Sequence, residues 1–340
     1  MFEHLSSVVK QSSFPGSASG KTSDGSVDKK ALSEAQLEWT SQSEALFKGA
    51  PEPAEGVEPA PVQDFTDQSN YLEWAGVGLG REESFRVHMA LKHLAAAKPV
   101  RNLRFWGKLL GTAGDYIVAE GEMDAEDEEE DALDSMGNTI EKTGEGANKF
   151  AYFVCSYPGA PWTQLPNVTP DQIVIARQIR RFFTGSLDAA VGGHPPFPGR
   201  EAGYLRAVIA LITSATVVSP AGVFATGEEE EDALNIVRNE EEFDAPDLTQ
   251  MGSWVHHVLP LNKLGRCTPN PPKLDEEGEP IADDDAPEAP EPLKSIEEDG
   301  DEENPVWGLR VCPVSGQGEE PDENALVVAK SASWPGAVSV

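Results

Sequence analysis

The stretch that decides the fold is Val168-Thr169-Pro170-Asp171-Gln172-Ile173-Val174-Ile175-Ala176-Arg177-Gln178-Ile179-Arg180-Arg181-Phe182-Phe183-Thr184-Gly185. It reads as a helix with both ends marked. Thr169 is an N-cap residue, because its hydroxyl can accept from an orphan N–H of the first turn. Pro170 takes the first helical position, where a missing N–H costs nothing. Gln172 stands where it can reach back to the cap's own N–H and close a capping box. Gly185 ends the pattern, since glycine adopts the left-handed cap cheaply. Ile175, Ala176, Ile179, Phe182 and Phe183 share one broad face at helical spacing, with Arg177, Arg180 and Arg181 mainly on the other.

Working outward, Phe150 to Ser156 is a buried-strand candidate, and Arg104–Leu110 and Tyr116–Glu120 read as two strands joined by the short loop Gly111–Asp115. A helix is predicted over Glu82–Ala97, burying Phe85, Met89, Leu91 and Leu94 and ending before Pro99. The glycines at 76, 78 and 80 form the turn that leads into it. Glu201 to Ser214 reads as a further helix, with a strand as the alternative because of its β-branched residues, then a strand from Thr216 to Phe224, with short strands at Val306–Arg310 and Ala325–Lys330. The fold class is α+β: antiparallel β hairpins with packed helices, those at 82–97 and 170–183 on one side, plus disordered acidic inserts. No βαβ rhythm demands a parallel sheet.

The 340 residues carry a net charge of −33, and its location matters more than its size. Residues 122–131 hold 8 acidic side chains, 228–244 hold 9 and 275–303 hold 15, with only Arg238 and Lys294 as basic residues in those windows. The rest has 24 basic against 27 acidic residues and is close to neutral. Such acidic runs repel themselves and lack the apolar area to order. Phosphate contact needs clustered Lys and Arg, so nucleic acid is not an expected partner. The best apolar run, Ala207 to Val218, is too short to cross a bilayer, and no membrane partner is expected. The N-terminus shows no basic region followed by an apolar stretch, so no signal peptide is read.

These shifts divide the chain. Residues 1–65 are mostly disordered with a possible docking helix over 30–48, for which packing on its own domain is an equal alternative. Residues 66–270 form a core interrupted by acidic loops 122–147 and 226–247. Residues 271–305 are an acidic Pro-rich linker, and 306–340 open a C-terminal strand region.

Several apparent motifs fail on spacing. Gly16 to Thr22 has three residues between its glycines where a phosphate loop needs four. The glycines at 76, 78 and 80 miss the third position of a dinucleotide fingerprint, which falls on Arg81. His88 and His93 do not have ligand spacing on one helical face, and His256 and His257 are adjacent, with no Cys or carboxylate pair to complete a site with Cys267. Cys155, Cys267 and Cys312 are widely separated and read as reduced thiols. Asp283-Asp284-Asp285 lacks the Gly and terminal Glu of a calcium loop. No catalytic, cofactor-binding or metal residue is therefore assigned, no cofactor is expected, and the chain is read as a non-enzyme.

The order of the segments nonetheless resembles one family. Tyr152-Phe153-Val154-Cys155, Pro158-Gly159-Ala160-Pro161-Trp162, Leu165-Pro166 through Thr184-Gly185, Pro195-Pro196-Phe197-Pro198-Gly199, Tyr204-Leu205-Arg206-Ala207 and Val218-Ser219-Pro220 are similar to the radial spoke head proteins of the 4/6 type. So are Glu73 to Leu79, Arg104 to Lys108, Tyr116 to Glu120, Trp254-Val255-His256-His257-Val258 and Ser333 to Ala337. The match runs from about Tyr71 to Ala337. The family continues with an aromatic strand region, so the resemblance implies that the region opening at 306 is cut short. It also implies a structural subunit of the radial spoke head in the axoneme of motile cilia and flagella, in the cytoplasm and cytoskeleton. Such a subunit helps couple the central apparatus to dynein regulation. The implied partners are a close paralogue, as homo- or heterodimer, other spoke head proteins including MORN-repeat subunits, the spoke stalk, and central apparatus projections. The competing reading is a soluble acidic cation-binding or adaptor protein.

Overall fold

A computed structural model describes residues 29–49, 52–53, 61–124, 132–227, 234–240, 243–269, 290–301, 303–312 and 325–340. The densest acidic runs, the Gly16–Thr22 stretch and Asp283–Asp285 lie outside the described residues.

The centre is a four-stranded antiparallel sheet in the order β1 (Arg101–Leu109), β2 (Tyr116–Glu122), β3 (Ala151–Cys155) and β4 (Thr163–Gln164). β2 is buried nearly throughout, since both its faces are covered. Alternation along the strands sorts the side chains. Ile117 and Ala119 of β2 join Phe153 and Cys155 of β3 on one face, against α2 (Phe65–Ala75) and α3 (Arg81–Ala97). Tyr116 and Val118 join Tyr152 and Val154 on the other, against α4 (Pro170–Gln178) and α5 (Glu201–Thr216). The mixed α and antiparallel β class is as expected. The helix placement is not: the helices predicted at 82–97 and 170–183 lie on opposite faces, because a strand buried on both sides needs a helical layer on each.

α4 starts as predicted, with Pro170 in its first turn and the Thr169–Gln172 capping box. Its end is a correction. The helix stops at Gln178, and Ile179 is already extended. The extended path lets Phe183 enter an aromatic cluster, 6.1 Å from Tyr116 and 5.4 Å from Tyr204 between ring centres. It also lets Thr112 N–H donate to the Phe183 carbonyl at 2.8 Å and Ala113 N–H to that of Thr184 at 3.0 Å. Phe182, expected on the apolar face, is 87% exposed. Gly185 therefore does not cap a helix. With φ +93 it sits against the Gly114 backbone of the β1–β2 loop, where a Cβ would collide.

On the α2/α3 side, α2 is capped by Asp64, whose carboxylate accepts from Thr66 N–H at 2.9 Å, and it ends on Gly76 in the left-handed region. Leu91 and Leu94 are buried as predicted, whereas Met89 is only half-buried and Phe85 is exposed, stacked on the equally exposed Phe47 of α1 (Lys29–Phe47) at 6.0 Å. The last turns of α1 dock on α3. Leu46 is buried, Arg86 donates to the Ser43 hydroxyl at 2.9 Å, and His93 meets the Leu46 carbonyl at 3.2 Å. Of the two readings for this helix, the structure shows its C-terminal part packed on its own domain.

A second, smaller core follows. The predicted strand over 216–224 is two short ones separated by a turn at Gly222 (φ +92): β5 (Val218–Pro220) and β6 (Phe224–Thr226). β6 pairs with β7 (Ile236–Arg238) and β5 with β8 (Trp254–His256). β9 (Trp307–Cys312), β10 (Leu326–Ser331) and β11 (Val338–Ser339) form a three-stranded antiparallel sheet. Val218, Trp254, Ile296, Trp307 and Ala329 form the core between these pieces. Ile296, within the stretch read as linker, belongs to a short 3-10 turn at Ile296–Asp299 and is only 2% exposed. Arg310 of β9 donates to the carbonyls of Trp74 and Ala75, each at 3.1 Å, which fastens this sheet to the end of α2.

Candidate functional site

Many of the polar residues that the fold buries, among them Glu120, Glu141, Asn148, Asp171, Glu201 and Arg206, lie on the α4/α5 side of the central sheet, although Ser84, Arg86 and His88 are buried on α3. Arg104 of β1 pairs with Glu120 of β2, and Glu120 with Tyr152 of β3, so the three make one row across the sheet. Arg104 Nε donates to Glu120 Oε1 at 2.7 Å. Arg206, fully buried on α5, stacks its guanidinium on the Tyr152 ring at 4.5 Å and donates from Nη2 to the Ala147 carbonyl at 2.6 Å. Trp106 lies edge-on to Tyr152, and its Nε1 donates to the Thr213 hydroxyl at 2.9 Å.

Three buried carboxylates work as staples on backbone N–H groups. Glu141 accepts from the N–H groups of Ala147 (2.9 Å), Cys267 (3.0 Å) and Thr268 (2.8 Å), so it ties segment 267–268 to the loop before β3. Beside it the Asn148 amide bridges the Glu141 carbonyl and both backbone groups of Val168, which holds the chain entering α4. Glu201, the first residue of α5, accepts from the N–H groups of Thr184 and Gly185 at 2.9 Å and from the Tyr116 hydroxyl at 2.7 Å. Asp171 accepts from Gln172 N–H at 2.8 Å and from the hydroxyls of Ser135 and Thr169.

Burial pushes the Glu201 carboxyl upward, but bonds from Thr184, Tyr116 and Gly185 outweigh it and hold the group below the usual carboxylate range. Asp171 follows the same pattern, with Ser135 and Thr169 as the main donors against burial. Carboxylates held ionised in this way cannot act as general acids near neutral pH. Burial raises the Cys155 and Cys267 thiols, so neither presents a thiolate.

The histidines weighed from sequence are dispersed. His88 is buried on α3 and held below its ordinary value chiefly by burial. His256 and His257 point apart, as strand alternation requires. His256 Nε2 meets Asp299 Oδ2 at 2.7 Å, and Trp307 Nε1 donates to the same oxygen at 2.8 Å. His257 instead stacks on Phe224 at 4.4 Å, and burial, then the Arg104 charge, lowers it to about 4. Cys267 is buried beside Glu141, while Cys155 and Cys312 lie in other clusters. Among the described residues no group of three His, Cys, Asp or Glu is placed to hold a metal ion. No described helix is long and apolar enough to cross a membrane. An open groove of about 330 Å³ lies between α3 and the 159–162 loop, floored by Leu94 and walled by Leu46 and Trp162. The buried staples were not assigned from sequence. The available signal was Glu201 and Arg206, two charges inside an otherwise apolar helix.

The geometry is that of a cross-braced core. The family model described as "Radial spokehead-like protein" matches residues 1–142 and 135–340, together the whole chain. The chain is 39% identical over 308 residues to human "Radial spoke head protein 6 homolog A", covering 74% of this chain and 42% of that protein. It is 42% identical over 237 residues to human "Radial spoke head protein 4 homolog A", covering 58% and 33% respectively. To "Flagellar radial spoke protein 4" of Chlamydomonas reinhardtii it is 34% identical over 315 residues, covering 85% and 66%. The chain thus spans about half or less of the human relatives' length.

Proposed function

The chain belongs to the radial spokehead-like family, and from that premise we propose that it is a non-enzymatic structural subunit of the radial spoke head in the axoneme of motile cilia or flagella. The observation that carries this reading is the family match along the whole chain. The braced interior supports it. Charged groups such as Glu141, Asp171, Glu201 and Arg206 hold one segment against another through bonds to backbone and hydroxyl groups. Its partners, on this reading, are a close paralogue, other spoke head proteins including MORN-repeat subunits, and the spoke stalk. Through the central apparatus projections it helps couple the central pair to dynein control and ciliary beating. On this reading the core over 66–270 supplies the rigid body, and the negative charge of the acidic runs keeps neighbouring heads from adhering.

The test is detergent extraction of motile cilia, followed by immunoblotting of the axonemal pellet across a salt series. Retention with the axoneme, with release only in chaotropic salt alongside other spoke proteins, is the expected result. Release with the membrane and matrix fraction contradicts the assignment.

A further inference from the structure

We propose that the rim formed by Arg177, Arg180, Arg181 and Phe182 is a docking surface for an acidic peptide segment of another protein. The premature end of α4 creates it. α4 stops at Gln178 with Ile179 extended, and Arg180, Arg181 and Phe182 are exposed while Ile179 and Phe183 are buried. The segment is rigid. Arg181 N–H donates to the Tyr204 hydroxyl at 3.1 Å, and Thr184 N–H is clamped by the Glu201 carboxylate at 2.9 Å.

The guanidinium groups of Arg177, Arg181 and neighbouring Arg200 are preset on backbone carbonyls. Arg181 Nε donates to Gly192 at 2.7 Å, Arg177 Nη1 to Asn262 at 2.8 Å, and neighbouring Arg200 Nη1 to Asp188 at 3.1 Å. Each retains further N–H donors. Among the described residues no carboxylate is in salt-bridge contact with any of the four arginines, although Arg101, Arg104 and Lys108 all have such partners. Acidic residues outnumber basic ones 59 to 26 in this chain, and among the described residues these arginines still have no salt-bridged carboxylate, which makes them a complement for carboxylates brought by a partner. Exposed Lys263, whose carbonyl Arg177 also reaches at 3.5 Å, extends the positive rim. Phe182, next to Arg181 in sequence and 87% exposed, adds an apolar contact that free counter-ions cannot use. Carboxylates next to an apolar side chain fit this arrangement, because guanidinium forks match carboxylates. A nucleic acid backbone or an anionic bilayer would bring extended negative charge against a chain of net −33. This inference concerns binding by the rim itself and does not depend on the spoke-head assignment.

The test uses the full chain and a fluorescein-labelled peptide of alternating Glu and Leu, with its Gln counterpart as the neutral control, at physiological ionic strength. Saturable binding of the Glu peptide alone is expected. Arg180→Gln with Arg181→Gln should weaken it about tenfold, as two exposed ion pairs together can supply. Phe182→Ser should weaken it about threefold. The pair Arg101→Gln with Lys330→Gln, which removes the same charge elsewhere, should leave it unchanged. Urea midpoints should stay at the parent value in every variant. No binding, or equal loss in the control pair, overturns the proposal. Tight binding to phosphatidylserine vesicles that is lost in Arg180→Gln with Arg181→Gln also overturns it, in favour of a membrane surface.

Discussion

The two faces of the central sheet are built from the same strands and solve burial differently. The face under α2 and α3 is apolar, with Val87, Leu91, Leu94, Val100, Leu103, Ile117 and Phe153 in contact. The face under α4 and α5 carries the row Arg104–Glu120–Tyr152, and Arg206 lies over its end. On the first face stability comes from volume and shape, so any helix of the right pattern could cover it. On the second, each buried charged side chain is held by at least one partner, although Glu120 Oε2 and Arg206 Nη1 have none among the described residues, and the cost of leaving a whole charge alone favours one arrangement of α4, α5 and the 141–148 loop. The contrast explains how loops of little regular structure are held in fixed positions around one sheet.

Four measurements would break or sharpen that contrast, and chemical denaturation reads each. The largest effect is expected for Arg206→Ala, which removes a fully buried guanidinium and orphans the Ala147 carbonyl, at about 4 kcal/mol. Arg206→Met should cost about half as much, because the volume is kept and no buried charge remains. On the apolar face Leu91→Ala should cost about 3 kcal/mol through the cavity it leaves. If Arg206→Ala were as mild as a surface change, the account of the polar face would be wrong.

The third measurement is a pH dependence. His257 is lowered from 6.5 to about 4, so the unfolded chain binds a proton that the folded chain refuses. Stability from this group is present above pH 6.5 and falls as pH drops towards 4. His257→Phe should flatten the slope between those limits while keeping the stack on Phe224. An unchanged slope would show that the ring is not excluded from charging. The smallest effect is Phe182→Ser, on neither face, expected within about 0.5 kcal/mol of the parent.

Much of the apolar face was legible in the sequence. The periodicity of Leu91 and Leu94, the glycines before α3, and the paired strands around Gly111–Asp115 each act locally, and the elements formed where expected. The start of α4 was legible for the same reason, since its capping box is complete within Thr169–Gln172. Its end was not. The stop at Gln178 depends on Tyr204, Tyr116 and the hairpin loop, which are distant in sequence. The same holds for the polar row, whose pairing follows from strand register, and for Ile296, whose burial between Trp254 and Trp307 overrides the acidic composition around it. No catalytic constellation was read from sequence, and the buried charges are bound to backbone in ways no short motif encodes.

The most direct test of the central claim is cryo-electron tomography of axonemes from cells lacking this chain, before and after rescue with a tagged copy. The account predicts spoke heads that lose density in the absence of the chain, regain it on rescue, and carry the tag at the head. Intact spoke heads without the chain, or a tag found away from them, would contradict it.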